Sequence, residues 1–386
     1  MVCSIVSMVM LTSCGQKEPA RLTQSGLDPV KFDTVVNGQA VKLYRLINSN
    51  GMEVCVTNFG ARVVSIMAED RAGEFRDVVL AFDNIAQFMD IEHNASDFGA
   101  AIGRYANRIN QGKITIGEDT IQLPQNNFSH CLHGGPLGWQ YKIYEVDEEA
   151  SNDSTIVMGL HSEDGDNNFP GNVEVKVTYT LTADNTLDMK FEAVTDKETV
   201  INMTNHSYFN LHGDPSAAGT DMVLYINADN YTPTDATFMT TGEVWPVAGS
   251  QFDFTVPKTI QSALADTTGA HGLQIKNAMG IDHNFCLNTY KDGQGDDTVV
   301  SASLYSPKTG IFMQVYTNEP GIQCYTGNFL NGKTIGKNAI AYPKQASVCL
   351  ETQKYPDSPN KKDWVQPYLK PGEKYYSHVA YKFSVK

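Results

Sequence analysis

Apolar and polar residues alternate at period two through Val173-Glu174-Val175-Lys176-Val177-Thr178-Tyr179-Thr180-Leu181, which predicts a strand with one buried and one wet face. Leu187-Asp188-Met189-Lys190-Phe191-Glu192-Ala193 repeats the pattern after Ala183-Asp184-Asn185, so the two segments are expected to pair as a hairpin. The same alternation runs less strictly through Ile311 to Tyr316 and Val379 to Val385. Helical periodicity is scarce, and Asn84 to Met89 is the best candidate for even a short helix. With 31 Gly and 16 Pro spread along the chain, turns are frequent. The pattern predicts an all-β protein, a large sandwich or barrel. No fixed repeat marks a propeller. Gln261 to Gly280 and Lys291 to Asp297 are polar or glycine-rich and read as surface insertions.

Composition narrows the partners. The 386 residues are 41% hydrophobic and 19% charged, which excludes a disordered chain and allows one large core. Against 29 Lys+Arg stand 44 Asp+Glu, a net charge of -15, which counts against a nucleic-acid surface or a polybasic membrane face. A small neutral substrate fits better. Seven cysteines lie apart with no CxxC pair, so neither a zinc ribbon nor a thioredoxin-like site is encoded. Those in strand-like runs, such as Cys349 in Ser347-Val348-Cys349-Leu350, read as small buried residues.

The first residues stand apart from this pattern. Ile5 to Leu11 is a short apolar run that leads into Leu11-Thr12-Ser13-Cys14 and is too short to span a bilayer. It resembles a bacterial lipobox, which implies a signal peptide over 1–14 and lipidation of Cys14. No Lys or Arg precedes Cys14, a departure from ordinary signal peptides. The expected organisation is a flexible tether over 15–30 and a single domain over 31–386. The expected location is the bacterial cell envelope, periplasmic or surface-facing, with the lipid as the only membrane attachment. Without use of the lipobox the protein would be cytoplasmic.

Four segments concentrate residues capable of chemistry. Gly103-Arg104-Tyr105-Ala106-Asn107-Arg108-Ile109 carries two arginines beside an asparagine, and on its own reads more readily as a surface strand with solvated charges. Ser129-His130-Cys131-Leu132-His133-Gly134-Gly135 sets glycines after a histidine, where the backbone could approach a ligand closely. His130 and His133 lack further metal ligands at recognisable spacing. His206 lies in Thr204-Asn205-His206-Ser207-Tyr208-Phe209-Asn210-Leu211, polar residues between apolar neighbours. Glu351 follows the apolar run Val348-Cys349-Leu350, where a carboxylate is costly to bury unless it is hydrogen-bonded or used.

With Gly280-Ile281-Asp282-His283-Asn284-Phe285 and Pro320 to Leu330, these segments resemble, in order along nearly the whole chain from Lys31, the aldose 1-epimerases or galactose mutarotases. The resemblance implies a single-domain antiparallel β-supersandwich with few short helices and an open sugar cleft on a concave face. It implies Glu351 as general base and His206 as general acid, with Asn107, Arg108, His133, Asp282 and Gln323 binding the sugar. It implies a free monosaccharide as substrate and no metal or other cofactor. Phe169 stands where relatives usually show tyrosine, which puts one cleft-edge hydroxyl in doubt.

Interconverting anomers means taking a proton from the anomeric hydroxyl and giving one to the ring oxygen. At unperturbed pKa values near 4.3 and 6.5, glutamate would begin as the base and histidine partly as the acid, without tuning. Two rivals carry the same cleft. A glycoside hydrolase would use Asp282 with Glu351 as its two carboxyl groups. A non-catalytic sugar-binding lipoprotein would need hydroxyl partners but no matched acid and base. A phosphosugar epimerase would call for more basic residues.

Overall fold

In the computed structural model, residues 22–94 and 96–386 are described. The expected signal segment over 1–14, Cys14 and the first part of the expected tether lie outside the described residues. The rest of that tether rests on the body. Leu27 and Phe32 are buried, the Gln24 N–H donates to Glu53 Oε1 at 2.7 Å, and Asp28 caps a 3-10 turn over Pro29–Phe32. Two apolar anchors hold a stretch whose composition looks like linker.

The alternating segments form the strands they predict. Val173–Leu181 pairs antiparallel with Thr186–Thr195, with Leu181 opposite Leu187, and Asn185 turns the chain with φ 62. These two strands lie inside a nine-stranded antiparallel sheet. Its spatial order is Glu145–Val146, Thr155–Ser162, Val173–Leu181, Thr186–Thr195, Tyr375–Val385, Ile311–Thr317, Ala302–Tyr305, Val223–Ile226 and Lys258–Thr259. A seven-stranded sheet runs Trp245–Pro246, Asn230–Thr232, Asp282–Cys286, Gly321–Tyr325, Val348–Gln353, Tyr208–Phe209 and Val79–Leu80.

The two sheets share one core. Val177, Phe191, Val315, Val379 and Tyr381 from the first meet Phe209, Phe285, Ile322, Val348 and Leu350 from the second in a single buried cluster. Phe209 and Tyr381 pack edge to face at 4.8 Å, and the Tyr381 hydroxyl donates to the Leu350 carbonyl at 3.0 Å. Apolar area removed from water at roughly 25 cal/mol per Å² is the main force that clamps the layers. A four-stranded sheet, Leu43–Ile47 to Phe75–Asp77, adds Val54, Val56, Val63 and Ile66 to that core.

The short helix expected near Asn84 forms over Ile85–Met89, with the Asn84 side chain accepting from the Gln87 N–H. The reading of 261–280 as a surface insertion is corrected. Helices occupy Ile260–Leu264 and Gly269–Ala278, and Ile260, Ala263, Ile275 and Ala278 are buried in the core. Gly269, Gly272 and Asn277 weaken helix propensity, so docking holds these helices where sequence pattern gives no signal. The other expected insertion holds a small hairpin, Tyr290–Lys291 with Gln294–Gly295.

Phe191 is fully buried between the layers, so Phe191→Ala is expected to cost about 3–5 kcal/mol through lost burial and a residual cavity. Urea unfolding followed by tryptophan fluorescence measures it, and a loss below 1 kcal/mol would contradict this account of the core.

Candidate active site

Strand alternation decides which side chains face away from the core. Phe285, Ile322, Cys324, Val348 and Leu350 belong to the main core cluster, so Asp282, Gln323 and Glu351 on the same three neighbouring strands emerge on the other face. Gln323 lies opposite both Asn284 and Glu351, and Asp282 opposite Tyr325. The Gln323 amide donates to Asp282 Oδ1 at 2.7 Å. Gln323 therefore orients Asp282 from behind and is not on the wall of the cleft.

His206 comes from a crossing segment. Its N–H donates to the Ala100 carbonyl at 2.9 Å and its carbonyl accepts from Gly99 N–H at 3.0 Å. Gly99 has φ +66, and a Cβ there would lie 1.9 Å from the Val63 carbonyl oxygen, so only glycine lets this segment pass so close. The ring stacks on Tyr208 with centroids 5.0 Å apart, and Nε2 stands 3.4 Å from Glu351 Oε1.

His133 stands beside His206, the two rings edge to face with centroids 5.3 Å apart. The Asn107 N–H donates to His133 Nδ1 at 3.1 Å, which fixes the neutral ring as the Nε2–H tautomer and makes it a donor. The glycines that follow have a different use from the one expected. A Cβ on Gly134 would fall 2.2 Å from the Gly103 carbonyl oxygen, so the close approach is to the chain's own Gly103–Arg104 backbone and not to a ligand.

The two arginines divide. Both are buried, which overturns the surface-strand alternative for their segment. Arg104 donates to the carbonyls of Pro170, Gly171 and Ser162 and stacks over Phe169. It is a structural clamp. Phe169 itself is buried in a side cluster with Tyr105 and Val200, so it does not sit at the cleft edge. Arg108 turns into the cleft, where Nε donates to Asn127 Oδ1 at 3.1 Å and the guanidinium lies over Phe238. His130 is spent elsewhere, accepting from the Gln111 N–H and bonding Thr237 Oγ1.

The result is a cleft of about 190 Å³ walled by Asn107, Arg108, His133, His206, Asp282 and Glu351. Sequence reasoning missed Asp97, Asn127 and Phe329 on the same wall. Tyr208 and Tyr325 also line it and lie inside the quoted segments, whereas Asp97 and Asn127 sit in loops with no pattern. Phe329 is half exposed and stacks on Tyr325 at 6.1 Å, an apolar plate at the rim.

Burial changes the starting protonation. It pushes Glu351 well above the carboxylate range, with Asp282 and Asp97 adding to the rise and Arg108 opposing it. It pushes His206 down to about 3, with His133 adding to the fall and Asp97 opposing it. The expectation that both groups start in working states without tuning is therefore corrected. The neutral arrangement and the ion pair hold the same single proton, placed on different partners. Burial also raises Asp282, while Arg108 and Gln323 favour its ionised form.

Two triplets could suggest a cation site. Asp97, His133 and His206, and likewise His206, Cys349 and Glu351, bring potential ligand atoms within 4.8 Å of one another. In the first, the tautomer of His133 leaves it no lone pair to offer. In the second, burial holds the Cys349 thiol protonated.

Fold and site together define an antiparallel β-sandwich with a small polar cleft in which a buried carboxyl and an imidazole stand side by side. The chain belongs to the aldose 1-epimerase family, whose pattern it matches over residues 42–382. It is 37% identical to a mouse galactose mutarotase across 90% of this chain and 95% of that one. It is 36% identical to an Escherichia coli aldose 1-epimerase across 90% and 96% of the two chains. Its backbone is similar to a galactose 1-epimerase from Lactobacillus acidophilus, with TM-score 0.78 and 29% identity over 91% of this chain and 97% of the other.

The tautomer is directly measurable. Nitrogen-15 shifts of His133 are expected to show protonated Nε2 and unprotonated Nδ1 at neutral pH, with no titration until about 3, because burial and Arg108 both oppose its charge. Titration near the ordinary histidine value would refute this geometry.

Proposed function

We propose that the chain interconverts the α and β anomers of free aldohexoses such as D-galactose and D-glucose, with Glu351 as general base and His206 as general acid. The observation that carries this reading is the 3.4 Å separation of His206 Nε2 and Glu351 Oε1. The anomeric hydroxyl and the ring oxygen share one carbon, so the groups that serve them must be neighbours.

The reaction follows from that placement. Glu351 takes the proton from O1, the C1=O1 double bond forms, and the C1–O5 bond breaks with its electron pair passing to O5. His206 gives its proton to O5. Rotation about C1–C2 turns the other face of the aldehyde, and the reverse transfers close the ring. Arg108 and the Nε2–H of His133 supply donors and Asp282 an acceptor for the hydroxyls, with Asn107 beside them and Gln323 holding Asp282. Phe329 offers an apolar face to the C–H side of the ring. Each positioned proton transfer is worth about 10²–10⁴ in rate.

A hydrolase must reach across a glycosidic bond with two separated carboxyl groups. Adjacent acid and base in a cleft of about 190 Å³ suit a single ring better. A binder needs hydroxyl partners but no matched acid and base, so the placement of His206 beside Glu351 favours catalysis.

The segment Leu11 to Cys14 supports attachment of this enzyme to the bacterial envelope through a lipidated Cys14. Mass spectrometry of the N-terminal peptide from a membrane fraction is expected to show acylated Cys14. An intact, unmodified N-terminus in the soluble fraction would remove the idea.

Polarimetry of freshly dissolved α-D-galactose tests the central claim. The protein is expected to speed the approach to an unchanged final rotation, and Glu351→Gln and His206→Asn each to lose about 10²-fold or more in kcat. The pH profile carries a further signature. Activity requires one proton on the pair, which a lowered His206 and a raised Glu351 retain over a wide window. The rate is expected to hold from about pH 7 to about pH 5, where an unshifted histidine would already be fully charged, and to fall on the alkaline side when the pair loses its proton. Parent protein that leaves the spontaneous rate unchanged would overturn the assignment.

A further inference from the structure

His206 must carry a proton to the ring oxygen from a site whose burial works against a charged imidazole. The groups that face it come from several elements. Glu351 and Cys349 lie on Val348–Gln353, Arg62 on Arg62–Glu69, and His133 in the turn after Cys131–Leu132. Tyr208 and Tyr325 pack against the ring. Arg62 and His133 both oppose positive charge there. Glu351 is the partner from which the acid must stay distinct. That leaves Asp97, whose carboxylate brings one oxygen within 4.8 Å of one ring nitrogen each of His133 and His206.

Asp97 is held where it is by its neighbours. The buried Arg62 guanidinium donates through Nη1 to the carbonyls of both Ser96, at 3.1 Å, and Phe98, at 3.0 Å. The Ala100 N–H donates to the Asp97 carbonyl at 3.0 Å. Phe98 is buried edge-on against Phe82, Tyr208 and Tyr342. The backbone on either side of Asp97 is thus fastened, and its side chain lines the cleft. Within that wall Asp97 Oδ1 and His206 Nδ1 are both buried without a hydrogen-bond partner. A fixed carboxylate with no structural bond to make, set beside the acid, has an electrostatic use.

We propose that Asp97 is a positioning residue for His206, a pinned anion in the cleft wall that keeps on the imidazole the proton delivered to the ring oxygen. The proposal rests on the acid–base reading above. It parallels the third group that orients and charges a histidine in other acid–base sites. Asp97 favours the imidazolium of His206 and also raises Glu351, so it strengthens proton binding at both members of the pair, while Arg108 favours the carboxylate of Glu351.

The test is Asp97→Asn, which keeps shape and removes charge. On D-galactose, kcat is expected to fall about tenfold with KM within about threefold, the pattern of a group that acts in the transition state. Loss of the negative charge lowers proton affinity at both His206 and Glu351, so both limbs of the pH–rate profile are expected to move toward acid by about one pH unit. Asp97→Glu is expected to restore part of the rate. A raised KM with unchanged kcat would overturn the proposal in favour of a sugar contact, and a lower rate with unmoved limbs would overturn it in favour of a structural role. An NMR titration of His206 in sugar-free protein, with a lower midpoint in Asp97→Asn than in the parent, reads the same coupling without turnover. Parent protein with no mutarotase activity would sink the epimerase reading, whereas an unmoved His206 midpoint would sink this one.

Discussion

Every core side chain on Asp282–Cys286, Gly321–Tyr325 and Val348–Gln353 commits its neighbours to the opposite face. The hydrophobic contact with the nine-stranded sheet fixes that choice, since a one-residue slip would bring Glu351 into the core and Leu350 into the cleft. Cross-strand register then does the rest. Gln323 lies opposite Glu351 and reaches Asp282, so three polar side chains from three strands converge through pairing alone. The precision of the site is inherited from the packing of the sandwich behind it.

That same burial makes the site costly. Glu351 Oε2, Asp97 Oδ1 and His206 Nδ1 are buried without partners, and each such atom costs on the order of 1–3 kcal/mol. In a core these would be faults, whereas Asp97, His206 and Glu351 line a polar cleft that a hydroxyl-bearing ligand can enter. A hydroxyl can both donate and accept, so it can satisfy a carboxyl oxygen and a ring nitrogen in turn. A net charge of -15 belongs to the whole chain, whereas the cleft wall combines Arg108 with Asp97, Asp282 and Glu351.

Legibility in the sequence followed the physics of each element. The hairpin around Asn185 and the alternating runs at 311–316 and 379–385 were readable because alternation at period two is imposed locally by a half-buried sheet. The helices at 260–278 were not, because their glycines and polar residues are helical only when docked, with Gln274 bonded to Thr234 and His283. Arg104 and Arg108 are indistinguishable by pattern. One binds backbone carbonyls and the other opens to the cleft, a difference set by distant loops. The residues singled out for the sugar came mainly from resemblance, and all but Gln323 line the cleft. Asp97 escaped because what marks it is the grip of Arg62 on its neighbours, some thirty-five positions earlier in the chain.

The desolvation that disfavours the ion pair also explains why the pair can run in both directions. In the reaction proposed above, opening the ring moves a proton from O1 to Glu351 and another from His206 to O5, which leaves a neutral carboxylic acid and a neutral imidazole. That is the arrangement burial favours, since it pushes Glu351 up and His206 down. The charged arrangement needed before opening is the one that Arg108 beside Glu351 supports. Burial leaves the sugar-free pair neutral, so in the proposed reaction the proton passes from Glu351 to His206 before the ring opens. If the charges dominated, the proton would not leave His206. A reaction whose start and end are two anomers of one sugar needs neither form to be a trap, and Arg108 works against the desolvation that favours the neutral form.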